Sequence, residues 1–504
     1  MIRKRFFEIG RNSFWGGKIK ANLKSVMPNS ALLLGLFTVT FIFLIQSPLN
    51  VLLLNGNSET DSSVFRTIAM QMKEGMMPYR DSFDHKGPLL YIYNYLGVLI
   101  RQHRGIWVIE FISAFVTFYF MYKIARLKCD RLQAFLVLVV CIATLYGYFE
   151  GGNLTEEYAL PFITISLYVF DDYFLNGRIS KIRLGICGFG FGAVCMLRIN
   201  MISVWIVFCC AVLLQSIQMK RMKELSRFLV WFLAGFGSIV LPISCWLFIN
   251  NAFIDFIKDY FVFNIMYTRE SSGVTPLGKY NSFSFFLNNI YVLTAFVIVC
   301  CICKEKKLFH RAYLMYEIVT LLMLSMSGVP HPHYGMVLVP IFIYPFSMLM
   351  SRENMKQRSW ILAFCLYLAV VQVIPTWIGG ANKTMGYLLN ENKTRERTDT
   401  VGKVCAYIKE NSDEEDRIIV WGNWNIIYIQ GERLPASRYS YQSTIGRVDK
   451  MLLTDFFEEI NKTMPWMIVI PKGHELGDMG SFIDRNGYIC MCDIDGVAIY
   501  MQSI

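Results

Sequence analysis

The chain has 504 residues, of which 54% are hydrophobic and only 17% charged, with a mean hydropathy of +0.40. A soluble protein carries about a quarter charged residues, and several windows here approach or exceed about 18 apolar residues, the length that reads as a membrane span. This excludes an ordinary soluble enzyme, and the net charge of +11 need not signal nucleic acid, because basic residues of membrane proteins collect on the cytoplasmic side.

Residues 1–30 carry Arg3, Lys4, Arg5, Arg11, Lys18, Lys20 and Lys24 and read as a cytoplasmic, basic lead-in without a cleavage site. A first span over 31–53 delivers an external loop over 54–104. Within it Val64, Phe65, Ile68, Ala69 and Met72 recur at helical spacing and Gly75 closes the pattern, which predicts an amphipathic helix along the bilayer surface. Further spans are expected over 105–127, 133–148, 158–175, 184–197, 201–217, 228–249, 285–303, 312–328, 335–350 and 359–378. Basic clusters such as Lys123, Arg126, Lys128 and Arg131, or Lys220, Arg221, Lys223 and Arg227, fall at every turn assigned inside, the bias that fixes orientation. The expectation is about eleven transmembrane helices over 31–380, with the N-terminus cytoplasmic. From 381 to 504 the composition changes to alternating helices and apolar strands near 417–421, 466–470 and 497–501, which predicts a small extracytoplasmic α/β domain. The 14 cysteines lie mostly in apolar runs, where they act as small hydrophobes.

Chemistry concentrates in the external segments. Asp61, Asp81, Asp84, His85 and Lys86 crowd into the first loop, an arrangement suited to an enzyme acting on a lipid-borne phosphate. A carboxylate at the water–membrane boundary, Asp61, can take a proton from an attacking hydroxyl; alternatively Ser58-Glu59-Thr60-Asp61 is only a capping box. Lys86 can neutralise a departing phosphate or simply reach lipid headgroups; Arg80 is a weaker candidate for contact with that phosphate. Asp84 and His85 with His331 or His333 form a candidate divalent-metal site, although a His-x-His turn is often only polar. Glu156, Glu157 and Arg198 lie at external span ends, where ionisable groups are functional candidates or pair with one another across helices.

The acid after the first span, the helix that follows and the turn Lys86-Gly87-Pro88-Leu89 resemble the first external loop of GT-C glycosyltransferases, the protein O-mannosyltransferases and lipid A aminoarabinose transferases among them. Gly87 stands where that family often has a second proline, and His85 where it often has glutamate. The resemblance implies an integral membrane glycosyltransferase of the plasma membrane that takes a sugar from a polyprenyl-phosphate donor to a cell-envelope glycan, lipid or protein. It implies Asp61 as base, and Lys86, Arg80 and the His333-Tyr334 turn as contacts to the donor phosphate; some members of the family use a divalent metal. Two other readings are a flippase for polyprenyl-linked sugars and a non-catalytic member of a polysaccharide assembly complex. Transporters carry charge near the membrane midplane, whereas here it gathers in external loops.

Overall fold

The computed structural model describes residues 30–45, 61–101, 105–177, 180–270, 275–302, 307–351, 392–442, 445–471 and 473–502, with scattered positions from 367 to 385. The basic lead-in, most of the second half of the first expected span, and most of the 359–378 span lie outside these residues.

Up to residue 351 the described chain is helical. Among the described residues three helices are long and apolar enough to cross a membrane, namely Ile106–Ala125, Met222–Ile249 and Pro332–Met350, and the bent pair Pro276–Tyr291 and Leu293–Ile302 passes the same test when taken together. Among the other described helices, Arg131–Tyr146 and Ser203–Gln218 are apolar but shorter, Ser30–Leu44 is the described part of the first expected span, and Thr155–Asn176 carries Glu156, Glu157, Asp171 and Asp172 within its length. These charges are accommodated by partners inside the bundle: the Tyr313 hydroxyl donates to both carboxylate oxygens of Asp171 at 2.7 Å. Helix contacts are close where side chains are small. A Cβ on Gly188 would lie 1.8 Å from the Phe232 carbonyl oxygen, so the Lys181–Cys195 helix and Met222–Ile249 touch backbone to backbone, as glycine permits in membrane bundles.

From 392 onward the chain builds a four-stranded sheet with helices. Strands β1 (Ile418–Val420), β2 (Met467–Ile470), β3 (Tyr488–Ile494) and β4 (Val497–Gln502) lie in the order β1-β2-β4-β3. β1 and β2 are parallel, with Ile419 opposite Ile468, and the other two pairings are antiparallel. Every residue of β1 and β2 is buried, which is why each reads as an unbroken apolar run rather than an alternating one. β3 escaped the sequence reading because its side chains are largely exposed and it is irregular between Cys490 and Cys492.

The sheet segment is held against the helical part at the first external loop. The Phe83 amide donates to the Arg438 carbonyl at 2.7 Å, Arg438 forms an ion pair with Asp259, and the Phe83 ring lies 5.2 Å from Tyr439 and 5.1 Å from Phe263. Aromatic packing of this kind adds about 0.5–1.5 kcal/mol per pair beyond the area buried.

Candidate active site

The helix that begins at Asp61 runs Asp61–Lys73 and is enclosed by protein on its polar side as well as its apolar one. Residues 62–69 are all buried, polar Ser62, Ser63, Arg66 and Thr67 among them. The sequence pattern showed its apolar side; its polar side is enclosed because an equally polar partner meets it. Asn153, fully buried with a left-handed φ of 55°, donates from Nδ2 to Ser62 Oγ at 2.9 Å and to Asn94 Oδ1 at 2.8 Å. Its backbone N–H donates to Glu110 Oε1 at 2.8 Å and Glu157 Oε2 at 2.9 Å, and the Tyr158 hydroxyl donates to its Oδ1 at 2.8 Å. Buried polar groups persist when each finds partners, and this cluster places Asp61 by fixing the residue beside it.

The turn after this helix is fixed from two sides. The Tyr79 hydroxyl donates to the Lys86 carbonyl at 2.7 Å. Gly87 N–H donates to Leu197 O at 2.9 Å and Leu89 N–H to Met196 O at 3.0 Å, so the Lys86 turn is stapled to the turn that carries Arg198. A Cβ at position 87 would sit 2.1 Å from Met196 O, which accounts for glycine there.

Asp84 is buried and saturated. Its Oδ1 accepts from the His85 amide at 2.8 Å and from the Tyr441 hydroxyl at 2.9 Å, and its Oδ2 accepts from the Tyr91 hydroxyl at 2.9 Å. Burial pushes the Asp84 carboxyl above its ordinary range, against the pull of Lys86 and these donors. Lys86 Nζ lies 2.8 Å from His85 Nε2. An ammonium only donates, so Nε2 is the acceptor, and the neutral ring keeps its proton on Nδ1, which faces Asp84 and Tyr441 at 3.4 Å each. Burial, with the charges of Lys86 and Arg198, holds the His85 ring well below its ordinary pKa, in the same direction.

On the other side Arg198 Nη1 donates to Glu156 Oε1 at 2.6 Å, and its guanidinium stands 4.2 Å from the centroid of the Tyr334 ring, a cation–π distance. His333 Nδ1 is 2.5 Å from Glu150 Oε2, and His331 stacks on His333 at 5.5 Å. Burial and the neighbouring His333 lower the His331 pKa. The two adjacent glutamates thus separate: Glu156 supports Arg198, and Glu157 turns inward to Asn153.

Asp61, Asp84, His85, Lys86, Arg198, His331, His333 and Tyr334 all line one cavity of about 960 Å³, together with Asn200, Asn264, Asn423, Tyr441 and apolar side chains. Arg80 and Asp81 lie elsewhere. They pair with each other at 2.7–2.9 Å, and Arg80 also donates to Asn250 O at 2.9 Å. Nor do Asp84, His85 and His331 fit a metal centre: among the described residues no three His, Cys, Asp or Glu side chains are grouped to hold an ion. Asp84 and both nitrogens of His85 are already committed, as above. Sequence reasoning missed Tyr441, Asn264 and Asn423, which carry no motif and come from distant segments. The cavity therefore combines Asp61 at a helix start, the engaged carboxylates Asp84 and Glu150, two cations held side by side by a backbone staple, and an apolar wall.

The fold is that of known membrane enzymes. A crystal structure of ArnT from Cupriavidus metallidurans bound to undecaprenyl phosphate superposes with a TM-score of 0.61 at 11% identity, covering 94% of this chain and 98% of the other. ArnT in the apo state gives 0.56 at 10% identity, covering 87% and 92%. The Archaeoglobus fulgidus oligosaccharyltransferase in the apo form gives 0.52 at 12% identity, covering 94% and 75%. The chain thus has the GT-C fold. A search of the curated proteins finds no match. The sequence matches the family model of the competence-induced protein Ccs4 N-terminal domain over residues 20–360, and the chain belongs to that family.

Proposed function

We propose that the chain is an integral membrane glycosyltransferase that moves a sugar from a polyprenyl-phosphate donor to an acceptor on the outer face of the plasma membrane, with a cytoplasmic N-terminus and an extracytoplasmic C-terminal domain. The observation that carries this reading is the convergence of Asp61, Lys86 and Arg198 on one cavity, in a fold shared with an ArnT that was determined bound to undecaprenyl phosphate. In the reaction an acceptor hydroxyl attacks the anomeric carbon, Asp61 takes its proton, and the bond from that carbon to the phosphate oxygen breaks. Charge builds on the departing lipid phosphate, where Lys86 and Arg198 neutralise it in a partly water-excluded setting; His333 and Tyr334 complete that side, and Glu156 keeps Arg198 in place. Arg80, paired with Asp81, supports the loop from outside the cavity. No step needs a metal held by Asp84 and His85.

The test is single-turnover transfer in proteoliposomes with a panel of polyprenyl-phosphate sugars and cell-envelope acceptors, comparing wild type with Asp61→Asn. Loss of a general base slows such reactions about 10²- to 10⁴-fold. The expected result is donor consumption by wild type and a loss of that size in the variant, with donor binding retained. Movement of intact donor between leaflets without bond cleavage would replace the transferase by a flippase.

A further inference from the structure

The neutral part of the cavity lining includes three asparagines, Asn200, Asn264 and Asn423. Asn264 and Asn423 both line it, the first from the Phe263–Glu270 helix and the second from the turn after β1. Each amide is tied at one end only. Asn264 Nδ2 donates to His85 O at 2.8 Å and Tyr260 O at 2.7 Å, which uses both its N–H groups; its Oδ1 has no partner among the described residues. Asn423 Oδ1 accepts from Asn425 Nδ2 at 3.0 Å, so its own amino group is the end left to a ligand. The neighbouring Gly422 N–H is held by Gln442 Oε1 at 2.9 Å, which fixes that turn. A third amide of the lining, Asn200, has a buried Oδ1 without a hydrogen-bond partner. Two aromatic rings also line the cavity: Tyr267 stacks on His85 at 5.8 Å, and Tyr441 holds Asp84 through its hydroxyl.

The charged groups narrow the ligand further. Glu150 is engaged by His333 and Asp84 by two tyrosine hydroxyls. Asp61 is then the one lining carboxylate left, and it serves as the base. Among the described lining residues no carboxylate beyond Asp61 remains to hold an ammonium on the sugar. An acidic sugar would have to compete with the lipid phosphate for Lys86 and Arg198.

We propose that Asn264 and Asn423 form the donor-sugar subsite and select a neutral, hydroxyl-bearing sugar over an amino sugar or a uronic acid. Asn264 accepts from one sugar hydroxyl and Asn423 donates to another. Because Asn264 hangs on the His85 carbonyl, this subsite adjoins Lys86, and the inference rests on the donor reading above. A site built to hydrogen-bond hydroxyls discriminates because its polar ends are left unpaired by the wrong ligand.

The test is binding of the full chain in nanodiscs, by displacement of a fluorescent polyprenyl phosphate, with four competitors: bare polyprenyl phosphate and its neutral hexosyl, aminopentosyl and uronosyl derivatives. The hexosyl lipid is expected to bind about tenfold more tightly than the other three, the size of two neutral hydrogen bonds. Asn264→Ala should bring it down to the bare lipid. Asn423→Asp keeps the acceptor for Asn425 and replaces the presented donor by an acceptor, so it should abolish the preference with the melting temperature unchanged. Equal binding of all four competitors, a preference for a charged sugar, or a hexosyl preference that survives Asn423→Asp would overturn the subsite while leaving the donor reading standing. Failure of the bare lipid phosphate to bind at all would overturn that reading, and this inference with it.

Discussion

A methyl group at position 87 would lie 2.1 Å from the Met196 carbonyl oxygen, and backbone cannot retreat as a flexible side chain can. Gly87→Ala should therefore separate the Lys86 turn from the Arg198 turn, costing about 1–3 kcal/mol as overpacking does and weakening polyprenyl phosphate binding about tenfold, since the two cations would no longer face one phosphate. Thermal unfolding and the displacement assay read these separately. Asp259 makes a second prediction at this scale. Burial raises its carboxyl to about 7 in spite of Arg438, whereas an unfolded aspartate titrates near about 3.9. Between those values the folded protein holds a proton the unfolded chain has lost, so this group's contribution to stability falls as pH rises through that window. Asp259→Asn removes the dependence. Its melting temperature should gain on wild type between about pH 5 and about pH 8; a constant difference across that range would refute the assignment.

The element most exposed to test is the Asp61–Lys73 helix, because its first turn is tied to the buried Asn153 through Ser62. Asn153→Ala would leave Ser62, Asn94 and Tyr158 short of a partner, and buried polar groups left unsatisfied cost about 1–3 kcal/mol. Asn153 does not line the cavity, yet transfer should drop with stability, checked by turnover at a temperature where the variant remains folded. This helix also shows how far sequence can be read. Apolar spacing located it and the acid at its start, and the Lys86-Gly87-Pro88-Leu89 turn stood out locally because its residues are adjacent. Its burial was not legible, since Ser62, Asn94 and Asn153 are unremarkable polar residues until the fold brings them together across 91 and 59 positions. Asp84 and His85 drew attention as metal ligands for the same reason: the hydroxyl that occupies Asp84 comes from Tyr441, 357 residues later. Strands β1 and β2 were legible because burial on both faces leaves an unbroken apolar run, and exposed β3 was not.

For the molecule as a whole, the proposed orientation puts the sheet outside the cell and the basic turns inside. Native Cys490, exposed on β3, provides a direct check. A membrane-impermeant maleimide applied to intact cells should label wild type and lose that signal in Cys490→Ser; labelling at this position only after the membrane is opened would reverse the topology. The same segment supplies Asn423 and Tyr441 to the cavity, so the cavity is a joint product of both halves rather than a property of the helical bundle.

The hydrogen bond from Tyr441 to Asp84 sets an order for biogenesis. A chain emerging from the ribosome inserts the first external loop long before residue 441 is made. Until then the Asp84 carboxylate has one donor fewer and the aromatic contacts around Phe83 are incomplete. The nascent protein therefore passes through a stage in which the helices are made while this loop is still unfinished. The wall of the cavity that Asn423 and Tyr441 supply arrives only with the last portion of the polypeptide, so a prematurely terminated product lacks it.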